Sequence, residues 1–357
     1  KAAALYNDIH VLFVKQSERQ KDIEKVWGGK DGLTEQIIYL PKKKGFLGKL
    51  PNYKEWEAHY KAQVGQIVES YQPQLIHVHI PWKVGLIALW AKRKFNLPFV
   101  VTEHWGIYNN IVEDNIHTKS FFFRYLLKLI CKKADSFISV SRYLGNGVNQ
   151  TLLKKEFVVI PNVVDTKLFF PTPKKYDQFT FLHVSNMVPL KNVESILLAF
   201  HQFLQNKSKD ARLILIGNRD DQYERLVAGW NILNKSIFFK GEIAYADVAR
   251  EMQSSHVFVL NSNIENSPCV IGEALCCGLP VIATSVGGIS ELVDNSNGLL
   301  IHPNSTPELE SALIKAFDTY HAMQRKQPTS SARIKFSPNT IGSQIAAVYD
   351  QVLRKQP

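Results

Sequence analysis

The stretch whose reading decides the fold is NIENSPCVIGEALCCGLPVIAT, residues Asn263 to Thr284. It sets two carboxylates, Glu265 and Glu273, in a mostly apolar segment, with seven residues between them and a Ser267-Pro268 step among those seven. Serine can cap a helix N-terminus, and proline suits the first helical position because its missing N–H is not needed there. The spacing therefore predicts a helix over Ser267–Cys277, with Glu265 in the loop before it and Glu273 about two turns inside. The β-branched run Pro280–Ser285 that follows reads as a strand. In the first helical turn the backbone N–H groups of Cys269 and Val270 favour an anion, through unpaired donors and the helix dipole. A loop carboxylate beside that anion site would meet whatever a bound phosphate carries, and a deeper carboxylate could accept two vicinal hydroxyls. A nucleoside diphosphate-sugar has its parts in that order. Against this stands a plainer reading, a solvated loop glutamate and a helix glutamate facing water, and spacing alone favours it.

The same alternation of short apolar strand and helix runs outward in both directions. Before the linker, DIHVLFVK, EQIIYLP, LIHVHIP, PFVVTEH and SFISVS read as strands, with helical patterns over Lys54–Tyr71 and Val84–Phe95. After it, FTFLHVSN, ARLILIGN, SIFFKGE, HVFVLNS and PVIATS repeat the plan, with helices over Val193–Leu204, Gln222–Leu233 and Asp247–Ser254. Near-continuous apolar strands between helices argue a parallel sheet covered on both faces. The proline-rich segment Val158–Gln178 reads as the linker, and Ile341–Leu353 as a final helix. The fold class expected is α/β, with two Rossmann-like domains facing across a cleft. The expected divisions are 1–163, 164–336, and a C-terminal piece 337–357 packing back on the first domain. Ligands bind at the carboxyl ends of strands in such sheets. Those ends carry His77, His79, Thr102, Glu103, His104, Ser141, Ser185, Asn186, Gly217, Ser262 and Glu265.

Composition narrows the class. A chain of 357 residues exceeds the size at which one core usually grows. The four cysteines, Cys131, Cys269, Cys276 and Cys277, form no CxxC and read as reduced core residues, which with no long apolar run predicts a cytoplasmic protein. The formal net charge of +11 calls for an anionic partner. No nucleic-acid module accompanies it, so no nucleic acid is expected. Two basic stretches interleaved with aromatics, Pro41–Lys54 and Phe121–Asp135, read as a solvated loop and a partly buried helix. The sharper reading, resting on both stretches, is peripheral contact with an anionic membrane on its inner face, with Lys42–Lys54 as the named contact.

The segment SNIENSPCVIGEALCCGLPVIATSVGGISELV resembles the E-x7-E region of the retaining, nucleotide-sugar-dependent glycosyltransferases with two Rossmann-like domains, the GT-B fold. Glycogen synthases and phosphatidylinositol mannosyltransferases share that fold. LIHVHIP, VVTEHW, ADSFISVS, VIPNVVDTKLFFP, HVSNMVPLKNVESILLAF, LILIGN and FKGEI fall in the family's order, so the resemblance spans nearly the whole chain. It implies transfer of a hexosyl or N-acetylhexosaminyl group from a UDP-, GDP- or ADP-sugar to a glycan or lipid-linked acceptor in cell-surface polysaccharide or glycolipid synthesis. Neither a metal nor a cofactor is implied. Residue by residue, it implies that Glu273 accepts the ribose hydroxyls. Glu265, with amides near Ser267, Pro268, Cys269 and Val270, meets the donor sugar and its phosphate. Lys191 neutralises the diphosphate, and His104 lies near the reacting sugar. The backbone of Gly241, Glu242 and Ile243 reads the base. Leaving diphosphate accumulates charge that a lysine and a helix N-terminus can stabilise without a metal, and no carboxylate nucleophile is required, unlike the two-carboxylate hydrolases. Asp220 and Asp221 read as a helix start rather than metal ligands.

Two departures stand out. Family members usually carry an arginine five residues before the lysine, where this chain has Asn186. Losing a charged hydrogen bond, about 1.5–3 kcal/mol, would cost roughly ten- to a hundredfold in leaving-group stabilisation. Arg219, beside Gly217, is the candidate replacement. The alternative is a weakly active or non-catalytic nucleotide-sugar-binding protein, or an epimerase of the same fold. The chain also opens on KAAALYNDIHVLFVK, like a helix tail running into a strand, where the family has a strand and glycine loop first. That piece is expected upstream of Lys1.

Overall fold

Strands this apolar must be covered on both faces, and the chain places a helix after almost every one of them. In the computed structural model, described for residues 1–17, 23–28, 32–42, 49–173, 178–326 and 329–355, the residues fall into two compact units. The first comprises Lys1–Val140, Gly145–Ile160 and Ile341–Pro357; the second comprises Ser141–Leu144 and Pro161–Thr340.

The first unit contains β1 (Ile9–Ser17), β2 (Ile23–Gly28), β3 (Leu33–Pro41), β4 (Ile76–His79), β5 (Phe99–Glu103), β6 (Ser136–Ser139) and β7 (Val158–Val159). These strands divide between two sheets, β1-β3-β2 and the all-parallel β4-β5-β6-β7. β1 runs parallel to β3, while β2 runs antiparallel to it. A physical reason for the division lies on the edge of β1. The Trp56 indole N–H donates to the Val14 carbonyl at 3.2 Å, and the Val14 N–H donates to the Tyr60 hydroxyl at 3.2 Å. Side chains of the helix Lys49–Tyr71 thus take up backbone groups that a neighbouring strand would otherwise pair. The last helix, Pro338–Leu353, belongs to this unit from Ile341 onward: Ile341, Val348, Tyr349 and Val352 bury against Val100, Ile138 and Ile160.

The second unit is one six-stranded sheet built from β8 (Phe179–Val184), β9 (Ala211–Ile216), β10 (Ile237–Phe239), β11 (Val257–Leu260), β12 (Val281–Thr284) and β13 (Gly298–Ile301). Its order is β10-β9-β8-β11-β12-β13, and every pairing is parallel. Alternate residues face opposite ways. Leu182, Ile214, Phe258 and Val281 join one buried cluster with the helices Tyr245–Ser254 and Cys269–Cys276. Phe181, Leu213, Val257 and Ile282 join another with Val193–Asn206 and Thr306–Lys326. The strand order reverses between β8 and β11, so the carboxyl ends of those two strands flank the sheet's switch point.

Some expectations shift. The segment read as a linker is partly core, because Phe169 is fully buried and the Val164 N–H donates to the Phe336 carbonyl at 2.9 Å. Residues 174–177 of that segment lie outside the described residues, as do 43–48 of the basic stretch Lys42–Lys54. The helix expected over Gln222–Leu233 runs instead from Asp221 to Gly229, capped by Asp220, whose carboxylate accepts from the Gln222 N–H at 2.8 Å. The two aspartates thus sit at a helix start. Among the described residues no helix is long and apolar enough to cross a membrane.

Candidate functional site

At the switch point, β8 is followed by Ser185, Asn186 and Met187, and β11 by Asn261, Ser262 and Asn263. The first turn is built from a buried histidine. His183 Nδ1 donates to the Val259 carbonyl at 2.9 Å, which leaves Nε2 to accept from the Ser185 hydroxyl at 2.7 Å. Ser185 Oγ in turn accepts from the Met187 N–H at 3.0 Å. Burial pushes the His183 imidazole down to about 4, so the ring stays neutral and this tautomer chain holds. The turn carries Asn186 to the surface and puts Met187 at φ +52°. It leads into the short 3-10 turn Pro189–Lys191.

That turn delivers Lys191 to Glu265. The Lys191 ammonium contacts Glu265 Oε1, and the Ser262 hydroxyl donates to the same oxygen at 2.8 Å. The two loops are stitched by the Asn263 N–H, which donates to the Leu190 carbonyl at 2.8 Å. From the other side, Gly287 and Gly288 press against the Glu265 loop. The Gly288 N–H donates to the Glu265 carbonyl at 2.9 Å. Gly287 has φ +55°, and a Cβ there would lie 1.8 Å from that carbonyl oxygen, so only glycine fits. Two buried side-chain oxygens at this point, Asn261 Oδ1 and Asn263 Oδ1, accept no hydrogen bond within the described protein.

The helix after Glu265 starts at Cys269, with Pro268 as its N-cap, one to two residues later than the Ser-Pro signal predicts. No side chain caps it; Ser267 instead offers its carbonyl to Asn162 Nδ2 at 2.9 Å. Glu273 consequently lies early in the second turn rather than two turns in. It is buried, and its Oε1 accepts from the Tyr245 hydroxyl at 2.6 Å. Burial raises the Glu273 carboxyl above its usual range, with Tyr245 acting against that. Cys269, expected in the core with the other cysteines, is instead exposed because it opens the helix; partial desolvation of its thiol and the Glu273 charge still hold its pKa up, which opposes thiolate character.

Gly217 and Gly241 form the next pair along the sheet edge. The Gly217 N–H donates to the Gly241 carbonyl at 3.0 Å, and a Cβ on Gly217 would lie 1.7 Å from the Ser185 carbonyl oxygen. Arg219 lies over Gly241, its guanidinium 3.9 Å from Glu224. Glu242 is exposed and Ile243 half-buried, just before the helix that begins at Tyr245.

His104 belongs to the first unit, at the end of β5. The preceding residue, Glu103, is fully buried. Its Oε1 accepts from the N–H groups of His104 and Trp105, each at 2.8 Å, and its Oε2 accepts from the Tyr108 hydroxyl at 2.6 Å. Desolvation nonetheless lifts this carboxyl to about 7. His104 Nε2 lies 3.1 Å from His79 Nδ1, so one ring donates and the other accepts. Desolvation holds the His104 imidazole below its ordinary value, and His79 falls to about 4 through desolvation and the neighbouring His104. His77 bridges the Tyr349 hydroxyl at 2.7 Å and the Thr102 hydroxyl at 2.6 Å.

Within the second unit, therefore, Lys191 and Glu265 meet, Gly217 and Gly241 meet, and Glu273 is engaged by Tyr245. Ser262 and Glu103 stand among the strand-end residues the sequence points to, whereas Tyr245, His183 and Gly287 do not. The SVGG stretch after β12 was a usable signal for the glycine; nothing local marks Tyr245, whose partner is 28 residues away.

Two family models match, Glycosyltransferase Family 4 over residues 3–168 and Glycosyl transferases group 1 over residues 164–333. An uncharacterized glycosyltransferase of Methanocaldococcus jannaschii is 29% identical over 252 residues, covering 70% of this chain and 67% of the relative. The sucrose-phosphate synthase of Thermosynechococcus elongatus superposes with a TM-score of 0.79 at 21% identity, over 99% of this chain and 91% of that one. HepE of Anabaena, solved in complex with UDP and glucose, superposes with a TM-score of 0.74 at 19% identity, over 95% and 99%.

Proposed function

Since the chain is a GT-B glycosyltransferase joining a family 4 domain to a group 1 domain, we propose that it moves a sugar from a nucleoside diphosphate-sugar to a glycan or lipid-linked acceptor. Transfer proceeds with retention at the anomeric carbon and without a metal. The observation that carries this reading is the Lys191–Glu265 contact at the switch point of the group 1 domain, followed directly by the Cys269–Cys276 helix. The diphosphate lies against Lys191 and the amides of Cys269 and Val270, which stabilise the charge that grows on the leaving group. The bond from the anomeric carbon to the phosphate oxygen breaks with its electron pair going to the diphosphate. The acceptor oxygen bonds to the same face of that carbon, and its proton passes to the leaving phosphate. Glu273 accepts the ribose diol, and the backbone of Gly241–Ile243 meets the base.

UDP is the first nucleotide to test, because HepE, of similar fold, was solved in complex with it. His104, fixed by Glu103 and His79, serves the sugar from the family 4 domain. The sugar is a hexosyl or N-acetylhexosaminyl group. A screen of UDP-, GDP- and ADP-sugars by melting temperature identifies the donor, since a ligand of the folded state stabilises it by mass action. Release of nucleoside diphosphate from that donor then establishes turnover. Asn186, standing where the family usually has arginine, favours a second reading, donor binding with slow turnover. A donor that raises the melting temperature but yields no diphosphate supports that second reading over the first.

A further inference from the structure

In the family 4 domain, the helix Phe121–Lys133 buries Leu127, Ile130 and Cys131 and turns a second set of large rings outward. Phe121 and Phe122 keep 78% and 67% of their surface exposed, and Tyr125 keeps 54%. Phe121 and Tyr125, four residues apart, stack on each other with centroids 6.4 Å apart. Three adjacent exposed aromatics in one turn are unusual on a protein that meets only water. The cations of this helix, Arg124, Lys128, Lys132 and Lys133, are all exposed, and it has no acidic residue. Behind the rings, Phe123 packs on Trp82 at 4.0 Å and on Trp105 at 6.2 Å between centroids. Trp105 follows His104 directly, and its N–H is held by Glu103. The aromatic turn is therefore braced against the loop that carries His104.

We propose that this helix docks the protein on an anionic lipid bilayer, with Phe121, Phe122 and Tyr125 inserted at the headgroup boundary and Arg124, Lys128, Lys132 and Lys133 on the headgroups. Aromatic rings partition to that boundary, and basic side chains add attraction to anionic lipid while keeping their stems along the apolar layer. The single sign of charge selects this occupant. A second copy of the chain would set these cations against the same cations of its partner. Docking holds the His104 loop at the membrane surface, where a lipid-linked acceptor presents its hydroxyl. That use rests on the transfer reading above, but the docking does not.

The test is co-sedimentation of the full chain with vesicles of phosphatidylcholine alone and with vesicles containing phosphatidylglycerol, at low and at high salt. The result expected is pelleting with the anionic vesicles at low salt, weakened at least tenfold by high salt, and no pelleting with phosphatidylcholine alone. Changing Phe121→Ser, Phe122→Ser and Tyr125→Ser together is expected to weaken anionic binding at least tenfold with the melting temperature held. Changing Lys128→Gln, Lys132→Gln and Lys133→Gln together, which leaves the rings in place, reports the electrostatic part by a flattened salt dependence. Wild-type protein that stays in the supernatant at low salt overturns the proposal, as does a serine variant of unchanged melting temperature that pellets as well as wild type. A self-association in sedimentation velocity that the serine variant abolishes also overturns it, assigning the face to a second copy. None of these readouts depends on turnover, so failure here leaves the transferase reading standing.

Discussion

The Tyr245 hydroxyl donates to Glu273 Oε1 at 2.6 Å, so the carboxylate assigned to the donor ribose is already held in place by a neighbouring helix. Tyr245 is half exposed, and its ring meets the buried Phe169 edge-on at 5.1 Å. One carboxylate oxygen can accept two hydrogen bonds, so the tyrosine and a ribose diol can share Glu273 without competing. Tyr245→Phe is expected to raise the donor KM about three- to tenfold, in line with ~1 kcal/mol for one hydrogen bond, with kcat little changed. An unchanged KM would sink the positioning role.

The same pair sets a pH dependence. In the proposed role Glu273 accepts the ribose hydroxyls ionised, and burial raises its pKa. Donor affinity should therefore be lost, as pH falls, at a higher pH than an ordinary carboxylate would give. Tyr245 lowers that pKa, so in Tyr245→Phe the loss should move to still higher pH. Donor titrations across pH check both the position of the limb and the direction of its movement.

Lys191 meets Glu265 and is half-buried at the switch point. Its ammonium is the assigned partner of the leaving diphosphate, and a charged hydrogen bond is worth about 1.5–3 kcal/mol. Lys191→Ala should lower kcat at least tenfold, and an unchanged turnover number would defeat the assignment.

Gly287 tests the support of the Glu265 loop. Alanine there combines φ +55° with a contact of 1.8 Å to the Glu265 carbonyl oxygen. Gly287→Ala should destabilise by about 1–3 kcal/mol, a fall of roughly 2–4 °C in melting temperature for each kcal/mol. It should also lower turnover by displacing Glu265. A variant with wild-type melting and turnover would show that the loop is not braced from this side.

Glu103 predicts a slope in stability. Its folded-state pKa, about 7, lies above its ordinary value of 4.5, so between those two values the folded state holds more protons than the unfolded one. Its contribution is complete below the unfolded pKa and is lost as pH rises toward 7. Glu103→Gln should remove that slope from a denaturant series run between pH 4.5 and 7.

Much of the group 1 domain could be read from its sequence because β8, β9, β11 and β12 are apolar runs of fixed period between amphipathic helices. β13 escaped, since GLLI carries a single β-branched residue and follows directly on the turn-forming run DNSN. So did the division of the first unit's strands into two sheets, because it depends on Trp56 and Tyr60 reaching the edge of β1. The Ser-Pro step located a helix start but misplaced it: the Ser267 carbonyl answers to Asn162, a contact between segments far apart in sequence. Tyr245 was hidden for the same reason. Spacing exposes what lies on one element, whereas the partners of Glu265 and Glu273 are fixed by which strands neighbour each other in the sheet.

The central claim, that the crevice between β8 and β11 of the group 1 domain holds a nucleoside diphosphate, is tested most directly by calorimetric titration of UDP into the wild-type chain and into Glu273→Gln and Lys191→Ala. The account predicts saturable binding to wild type that weakens at least tenfold in each variant. Equal binding by all three would contradict it, as would no binding of UDP, GDP or ADP by the folded wild-type protein.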